Sequence, residues 1–548
     1  MHDQTTDRRT FLKMTAAMGV GAVSGFAILR PVARAQGSSS RVPTLEVLLP
    51  SFPQWVEASR IIAPEWRKLG LDVHLTTRSF QATIPHIQKR PPTYGDVMMM
   101  SWGGRDERID PNFFLEELYH SSRTREKGRN WELYMNPEAD KLIDAQKREM
   151  DRHKRRQLVW QCQELLAKDY PIWYIAHHNY VNAYNADWEG VTPRMGAGGF
   201  FPYSPWTYLN LKSKSGKRKF KLTYRYLIGN FNPFQVFGAV EQAWHRFVYD
   251  TFTKLDVNME VIPWAAESWE MKDYVTFDIT LRDGMKWHDG KPVTIEDAKF
   301  SFDVVKKAQP AMYQHVVDVV QSTKIVGSNT LRIKLNAPFA PFLVNTLGYM
   351  HLVPKHIWEK VDDPLQYANK EMIGSGPFKL GYWRKKEELS LITNKDHFMA
   401  PKGIDGFIVL DVPAAETALG MLETGESDAF AWILTPDQIS ALEGRKDIVV
   451  VQSENHAFYE VRGLMTEKPC SDVNFRKALY HAIPKEEIVK VAFGGRATVA
   501  KNTPISPKLT FWHNPNLEPV DYSIDKARQI LKDAGYTWDS EGRLNYPA

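Results

Sequence analysis

The sequence predicts an α/β protein with more than one lobe. An apolar strand from Leu45 to Leu49, a helix from Val56 to Leu69 and a strand from Leu71 to Thr77 form a βαβ unit, which implies parallel pairing. From Val275 to Leu281, apolar and polar residues alternate as in a strand with one buried face. A chain of 548 residues is too long for one core and predicts two to four lobes.

The N-terminus predicts export. Arg8 and Arg9 stand in a stretch, DRRTFLK, that resembles a twin-arginine motif. The apolar run from Met14 to Leu29 is shorter than the roughly 20 residues of a membrane span. Ala33-Arg34-Ala35 fits a cleavage site. We predict that residues 1–35 are a twin-arginine signal peptide and that the mature protein is soluble in the periplasm; an uncleaved anchor is the alternative.

Composition is that of an ordinary globular protein. The formal net charge is +5, and much of it comes from the leader, so nothing calls for a nucleic-acid partner. Cys162 and Cys470 are the only cysteines. Cysteines so far apart are expected to be buried and unpaired, although the periplasm permits a disulfide.

Further elements follow along the chain. Asp96 to Trp102 predicts a buried strand, followed by a glycine loop at Gly103. Leu158, Cys162 and Leu166 share a helical face, and Ile172 to Tyr184 is apolar and aromatic as in returning strands. Near the end of the sequence, Ser523 is a helix N-cap and Gly535 a C-cap.

The segment from Tyr274 to Phe302 carries the most specific pattern. Its strand is followed by the motif KWHDGKPVT and by a helix with Thr294 as N-cap and Asp297 in the capping-box position. This combination resembles the signature of family 5 extracellular solute-binding proteins, the receptors of ATP-driven peptide and nickel importers. The resemblance implies a periplasmic-binding-protein-like fold of class II, cluster C type, with two main α/β lobes, a smaller extra lobe and hinge closure.

The order of the family segments is unusual. In the family the signature lies near the start of the mature chain, but here it lies halfway along. Residues 41–210 resemble the end of a family member, and residues 217–548 resemble its beginning and middle. The polar, basic stretch 212–219 is typical of a linker. We predict a circular permutation; fusion of gene fragments in the wrong order and exchange of segments between chains are the other interpretations.

The resemblance also implies lobe boundaries. Lobe III comprises residues 41–180 and 495–548, and it is the family's C-terminal lobe. Lobe I comprises 181–245 and 371–494, with the linker 212–219. Lobe II, the extra domain of the family, comprises 246–370.

Ligands of such receptors bind between the lobes, so the candidate residues lie on loops that face the cleft. By resemblance, we predict substrate contacts in the stretches around 101–106, 229–232, 431–432 and 456–462. The predicted residues are Trp102, Gly103, Arg105, Asp106, Phe231, Asn232, Trp432 and Tyr459.

Arg105 is the sharpest of these predictions. In dipeptide-binding relatives this loop carries an acidic residue that pairs with the peptide's ammonium group. Here the corresponding place holds Arg105, with Asp106 next to it. An arginine favours a carboxylate or phosphate, because its fork can donate two parallel hydrogen bonds. A structural salt bridge with Asp106 or Glu107 is the other interpretation.

The function implied by the resemblance is that of a substrate-binding protein of an ABC importer. It would capture a small peptide-like, opine-like or other carboxylate-bearing solute and deliver it to the permease subunits, as a monomer and without a cofactor. A receptor for nickel, a metal chelate or a sugar is the alternative within the family, and sensing or chaperoning is another role. A periplasmic enzyme is the alternative from another class, but the sequence contains no P-loop, HExxH helix or GxSxG elbow.

Overall fold

The computed structural model describes residues 40–126, 128–225, 227–236 and 239–548. The predicted leader, with Arg8 and Arg9, lies outside the described residues. In the described part of the chain, the largest sheets have six, seven and four strands and are accompanied by helices. This mixed α/β structure confirms the predicted fold class.

The six-stranded sheet contains the predicted βαβ unit. Leu45–Pro50 pairs in parallel with Val73–Arg78 and with Val97–Ser101, and the other neighbours are antiparallel. In spatial order the strands are Val73–Arg78, Leu45–Pro50, Val97–Ser101, Tyr459–Gly463, Ile172–His178 and Ala497–Val499.

Both faces of this sheet are buried. Val97 and Met99 belong to one apolar cluster, whereas Met98 and Met100 belong to another. Parallel strands that are covered on both faces are continuously apolar, which accounts for the run VMMM. The helices of this region are Pro53–Arg67, Phe80–Gln88, Pro111–Tyr119, Pro137–Arg148, Arg152–Asp169, Val473–His481, Lys485–Ala492 and Ile524–Asp533.

The first helix, Pro53–Arg67, is longer and more regular than expected. It begins on Pro53, whose missing N–H costs nothing at the first helical position. Trp55, Ile62 and Trp66 point into the core. The helix continues through Pro64, because Pro64 lies on the exposed face where water can reach the unpaired carbonyl.

The seven-stranded sheet is mixed. Lys219–Tyr224 pairs in parallel with Gly406–Asp411 on one side and with Ala429–Phe430 on the other. The spatial order is Phe378–Arg384, Glu388–Thr393, Gly406–Asp411, Lys219–Tyr224, Ala429–Phe430, Tyr180–Asn185 and Ile448–Ser453. Helices Ala415–Thr424 and Pro436–Leu442 contact it, and Trp206–Asn210 and Ala239–His245 precede its neighbouring segments in the chain.

The four-stranded sheet is antiparallel and contains the signature strand. Its spatial order is Ala266–Asp273, Thr276–Leu281, Thr330–Leu335 and Val320–Ile325, and helices Ile295–Ala308, Gln314–Val319 and Lys355–Trp358 lie nearby. The predicted capping box is present: the Asp297 N–H donates to Thr294 Oγ1 at 3.3 Å, and the Thr294 N–H donates to Asp297 Oδ2 at 2.8 Å. Short ladders pair Trp188–Glu189 with Lys212–Ser213, Thr253–Leu255 with Val261–Pro263, and Thr537–Trp538 with Leu544–Asn545.

The described chain passes between the two large sheets at 178–180 and at 453–459. Tyr459–Gly463 hydrogen bonds to Val97–Ser101 and Ile172–His178, so it belongs to the six-stranded sheet. The segment 371–494, predicted for lobe I, therefore contains strands of both large sheets. The lobe boundaries stay a prediction.

The first and last described segments lie side by side. The Val42 N–H donates to the Leu544 carbonyl at 2.8 Å, and the Tyr546 N–H donates to the Ser40 carbonyl at 2.6 Å. Cys162 and Cys470 are both buried, and no disulfide joins them. Within the described residues, no helix has the length and apolarity required to cross a membrane.

Candidate functional site

A cavity of about 370 Å³ is lined by residues of both large sheets. Ser101, Tyr224 and Phe430 line it, and each ends a strand that has a parallel neighbour. His178 and Tyr459 also line it and flank the two passages between the sheets. Ligands of open α/β sheets bind beyond the carboxyl ends of the strands, so this cavity is the candidate binding site.

The structure brings part of the predicted set together. Trp102, Gly103, Arg105, Trp432 and Tyr459 line the cavity. Asp106, Phe231 and Asn232 do not belong to its wall. Contact of the five lining residues with a ligand stays a prediction.

Trp102 is a firmly held part of the wall. Its indole Nε1 donates to Glu460 Oε1 at 2.8 Å, and its ring stacks on Trp131 with centroids 5.5 Å apart. The Arg108 guanidinium lies 4.9 Å from the Trp102 ring centroid. These contacts leave the ring little freedom, so its position is set before any ligand arrives.

A buried charge cluster supports Trp102 from behind. Arg462 is fully buried and contacts Glu132 at 2.7 Å and Glu460 at 2.5 Å. Burial raises the pKa of Glu132 to about 7, against the opposing effect of Arg462, and burial also raises the pKa of Glu460. Two carboxyl groups therefore share one cation in the core behind the cavity.

Gly103 and Gly104 bring the loop close to other segments. The Gly103 carbonyl accepts a hydrogen bond from Arg108, and the Gly104 N–H donates to Tyr180 Oη at 2.9 Å. A Cβ atom at position 104 would lie 2.3 Å from the Cα atom of Gly196. Only glycine permits this approach, which places the loop directly against the segment around Gly196.

Arg105 has the most open guanidinium of the loop. Its side chain is 27% exposed, and its Nη1 lies 3.8 Å from Glu107 Oε1, beyond ordinary hydrogen-bond distance. The backbone carbonyl of Arg105 instead accepts from His456 Nε2 at 3.0 Å, which anchors the loop. The Tyr203 ring centroid lies 5.8 Å from the guanidinium carbon. This leaves donors of Arg105 for a ligand.

Asp106 is used differently from the prediction. It begins a short 3₁₀ turn, Asp106–Arg108, and its carboxylate is bound by Arg194 and by Arg246, the latter at 3.1 Å. Arg194 and Arg246 are both buried. These two buried cations pair with the partly exposed Asp106 carboxylate, which does not belong to the wall of the cavity.

Phe231 and Asn232 also lie elsewhere. The Asn232 side-chain amide donates to the carbonyls of Pro364 and Tyr367, each at 2.8 Å, and its Oδ1 accepts from the Phe234 N–H at 2.9 Å. Phe231 packs edge-on against Trp383 with centroids 4.8 Å apart. Asn232 therefore fastens two loops together.

Trp432 and Tyr459 form opposite parts of an aromatic wall. Trp432 packs against Phe201 and Tyr224, with centroids 5.7 and 5.6 Å away. Tyr459 packs against Phe493, with centroids 4.8 Å apart. Trp432 belongs to the side of the seven-stranded sheet and Tyr459 to the six-stranded sheet, so both sheets contribute rings.

Sequence reasoning missed several lining residues. Tyr224 and Arg225 stand at the end of strand Lys219–Tyr224, whereas the prediction looked to residues 229–232. The end of the strand itself was the available signal. His178 is another lining residue; burial lowers its pKa to about 3, so it is neutral in the wall of the cavity.

The described residues contain no group of three or more His, Cys, Asp or Glu suited to a metal ion. A Ser–His–Asp group does occur, at Ser375, His397 and Asp250. Ser375 Oγ donates to Asp250 at 2.9 Å, and His397 Nε2 lies 3.3 Å from the same carboxylate. Burial opposes ionisation of Asp250, but His397, Lys254 and Trp264 together outweigh it and lower the pKa to about 2. Both partners point at the carboxylate, which suits a structural role better than a Ser–His nucleophile pair.

Comparison with known proteins identifies similar chains. A dipeptide-binding protein of Escherichia coli (strain K12) is 27% identical over 333 residues, covering 56% of this chain and 61% of that protein. The glutathione-binding protein GsiB of Shigella flexneri is 27% identical over 313 residues, covering 56% and 59%. The chain thus spans about three-fifths of the length of the curated relatives it matches.

A solved structure is also similar. The periplasmic oligopeptide-binding protein of an oligopeptide ABC transporter from Thermotoga maritima is 25% identical, with a TM-score of 0.51 over 60% of this chain and 65% of that chain. The sequence profile described as "Bacterial extracellular solute-binding proteins, family 5 Middle" matches residues 260–547, more than half of the chain. The chain belongs to the family 5 bacterial extracellular solute-binding proteins.

Proposed function

We propose that this protein is the solute receptor of an ABC importer and that it captures a small, carboxylate-bearing organic solute. The observation that carries the proposal is the cavity between the two large sheets, with Arg105 in its wall. The dipeptide-binding, glutathione-binding and oligopeptide-binding relatives support a receptor role. The role consists of reversible binding, without a chemical step.

The mechanism follows from the position of the cavity. The wall combines side chains of both sheets, and the chain links those sheets at 178–180 and 453–459. A solute that touches both sides stabilises the conformation in which they are close together. Arg105 would bind the carboxylate, and the aromatic rings would exclude water around the rest of the solute. The permease subunits would then recognise the closed form.

The location of the protein is part of the proposal. The twin-arginine stretch at Arg8 and Arg9 supports export through the twin-arginine translocase, followed by signal cleavage and a soluble life in the periplasm. We also propose that the receptor acts as a monomer. Size-exclusion chromatography with light scattering should give a mass near that of one chain, and a stable dimer would contradict this.

A direct test uses the purified mature chain. After incubation with a metabolite extract, native mass spectrometry should find a retained small molecule, and small-angle scattering should show a decrease in radius of gyration when it binds. Arg105→Ala should weaken binding of the retained molecule about 10- to 100-fold, because this is the factor that one charge-assisted hydrogen bond contributes to affinity. Arg60→Ala is the matched control, because Arg60 is exposed on helix Pro53–Arg67. Absence of any retained molecule, or unchanged binding by Arg105→Ala, would contradict the proposal.

We further propose that the chain is circularly permuted, with 217–548 followed by 41–212 as the ordinary family order. Backbone pairing of residues 40–42 with 544–546 supports this, because in the ordinary family order the segment ending at 548 would continue directly into the segment beginning at 41. The family model matches one continuous stretch, residues 260–547, which lies within 217–548. A rearranged chain that joins residue 548 to residue 41 by a short linker should fold with the same circular dichroism spectrum. An unfolded product would contradict the permutation.

A further inference from the structure

The charges around the cavity are one-sided. Arg105, Arg225 and Arg496 line it. Among the described lining residues there is no aspartate, glutamate or lysine. The neutral His178 adds no charge. The wall therefore offers positive charge to a ligand and no carboxylate.

The two acidic residues that follow Arg105 in the chain are already engaged. Asp106 is held by Arg194 and Arg246, which are only 2% and 8% exposed. Glu107 accepts a hydrogen bond from the Tyr349 hydroxyl. Releasing either carboxylate toward a ligand would leave a buried donor unpaired, which is costly. An ammonium group beside this loop would thus find no carboxylate that is ready to pair with it.

The three arginines differ in availability. Arg496 binds Glu443, and its Nη1 donates to Gln452 at 3.1 Å. The Arg225 guanidinium lies over the Trp432 ring, 5.6 Å from the centroid. Arg105 has only the loose 3.8 Å contact with Glu107. Arg105 is therefore the principal cation for a ligand anion, with Arg225 beside an aromatic surface.

The rest of the wall is uncharged, and many of its residues are aromatic. Phe201, Trp432 and Tyr224 pack together on one side, and Tyr459 and Phe493 on the other. Rings stack well on other rings and on flat apolar groups. A volume of about 370 Å³ lies in the lower part of the roughly 300–1,000 Å³ range of small-molecule pockets, which suits a compact molecule.

We propose that the cavity selects a compact, ring-bearing carboxylate that has no protonated amine. This inference rests on the receptor role proposed above and specifies its ligand class. It separates this chain from receptors of free amino acids and unmodified peptides, since the ammonium group of those ligands would be buried here without a partner.

The test compares matched probes by isothermal titration calorimetry at pH 7. Phenylacetate, 3-phenylpropionate, 4-hydroxybenzoate and indole-3-acetate are the acids. Phenylalanine, tryptophan and glycyl-phenylalanine carry the ammonium group, N-acetylphenylalanine masks it, and 3-phenylpropanamide lacks the charge. We expect at least one acid to bind, its ammonium-bearing counterpart to bind about 10- to 100-fold more weakly, and acetylation to restore affinity.

A substitution tests the role of Arg105 in this selection. Arg105→Gln should remove the preference for acid over amide, while Arg60→Gln, which changes an exposed arginine elsewhere, should keep it. Thermal unfolding of both variants checks that the fold is intact.

The outcomes separate the two proposals. Tighter binding of phenylalanine or of the dipeptide than of the acids would overturn the ligand class and leave the receptor role standing. The ligand class is also overturned if no acid binds although the metabolite experiment retains a molecule. If no molecule is retained in either experiment, the receptor role itself falls.

Discussion

The loops 102–106 and 229–232 were both expected to contact the ligand, but they differ in how fully their polar side chains are bonded within the protein. The loop 102–106 directly follows strand Val97–Ser101, and the ion pair of the Arg105 side chain is a 3.8 Å contact with Glu107. The loop 229–232 begins five residues beyond Lys219–Tyr224. Its Asn232 is buried, and both the NH2 group and the oxygen of its side-chain amide are hydrogen-bonded. Native proteins pair their buried polar groups, so a polar side chain left open beside a cavity is the better ligand candidate.

The largest expected effect concerns the support of the first loop. Arg462→Leu would leave Glu132 and Glu460 buried without their cation, so we expect a loss of about 3–5 kcal/mol in the free energy of unfolding. Urea unfolding measures it. Arg332→Leu is the matched control, because Arg332 pairs with Asp278 at 2.7 Å on the surface and should cost about 0–1 kcal/mol. Equal losses in both variants would show that the cluster behind Trp102 is no more important than a surface pair.

The same cluster predicts a pH dependence. The folded pKa of Glu132 is about 7, above its ordinary value of 4.5, so between these pH values the native carboxyl holds a proton that the unfolded one has lost. Glu132 therefore lowers the free energy of unfolding as pH rises from about 4.5 to about 7, by about 3 kcal/mol at most. Because Glu132 and Glu460 interact, the pH midpoint of this change describes the two carboxyl groups together. Glu132→Gln should flatten this part of the profile of urea midpoints between pH 4.5 and 7.5; an unchanged slope would contradict the assignment.

The second loop should respond in stability alone. Asn232→Ala removes the partners of two carbonyls and of the Phe234 N–H, and we expect a loss of about 2–3 kcal/mol in the free energy of unfolding. Affinity for the solute should stay unchanged, because Asn232 lies outside the cavity wall. Asn258→Ala, at an exposed position, should change stability by less than about 0.5 kcal/mol. If Asn232→Ala bound the solute more weakly, the loop 229–232 would have to be counted as part of the binding site.

The sequence predicted the fold better than the site. The strand in Tyr274–Phe302, its capping box and the βαβ unit after Leu45 could be predicted because each depends on local periodicity and capping. The ion pairs of Asp106 could not be predicted, because its partners Arg194 and Arg246 lie 88 and 140 residues away in the sequence. The pairing of strand Tyr459–Gly463 could not be predicted either, since its partners Val97–Ser101 and Ile172–His178 are distant in sequence.

The smallest expected effect contrasts one tryptophan beside each loop. Trp102 Nε1 donates to Glu460, whereas Trp383, which packs on Phe231, has a buried Nε1 with no hydrogen-bond partner among the described residues. Trp102→Phe should cost about 1 kcal/mol more than Trp383→Phe, because both lose similar ring volume but only the first loses a hydrogen bond. Urea unfolding of the two variants gives the difference. If Trp383→Phe were the more destabilising, the first loop would not be the one that is held in place by polar contacts, and the preformed wall around Arg105 would lose its physical basis.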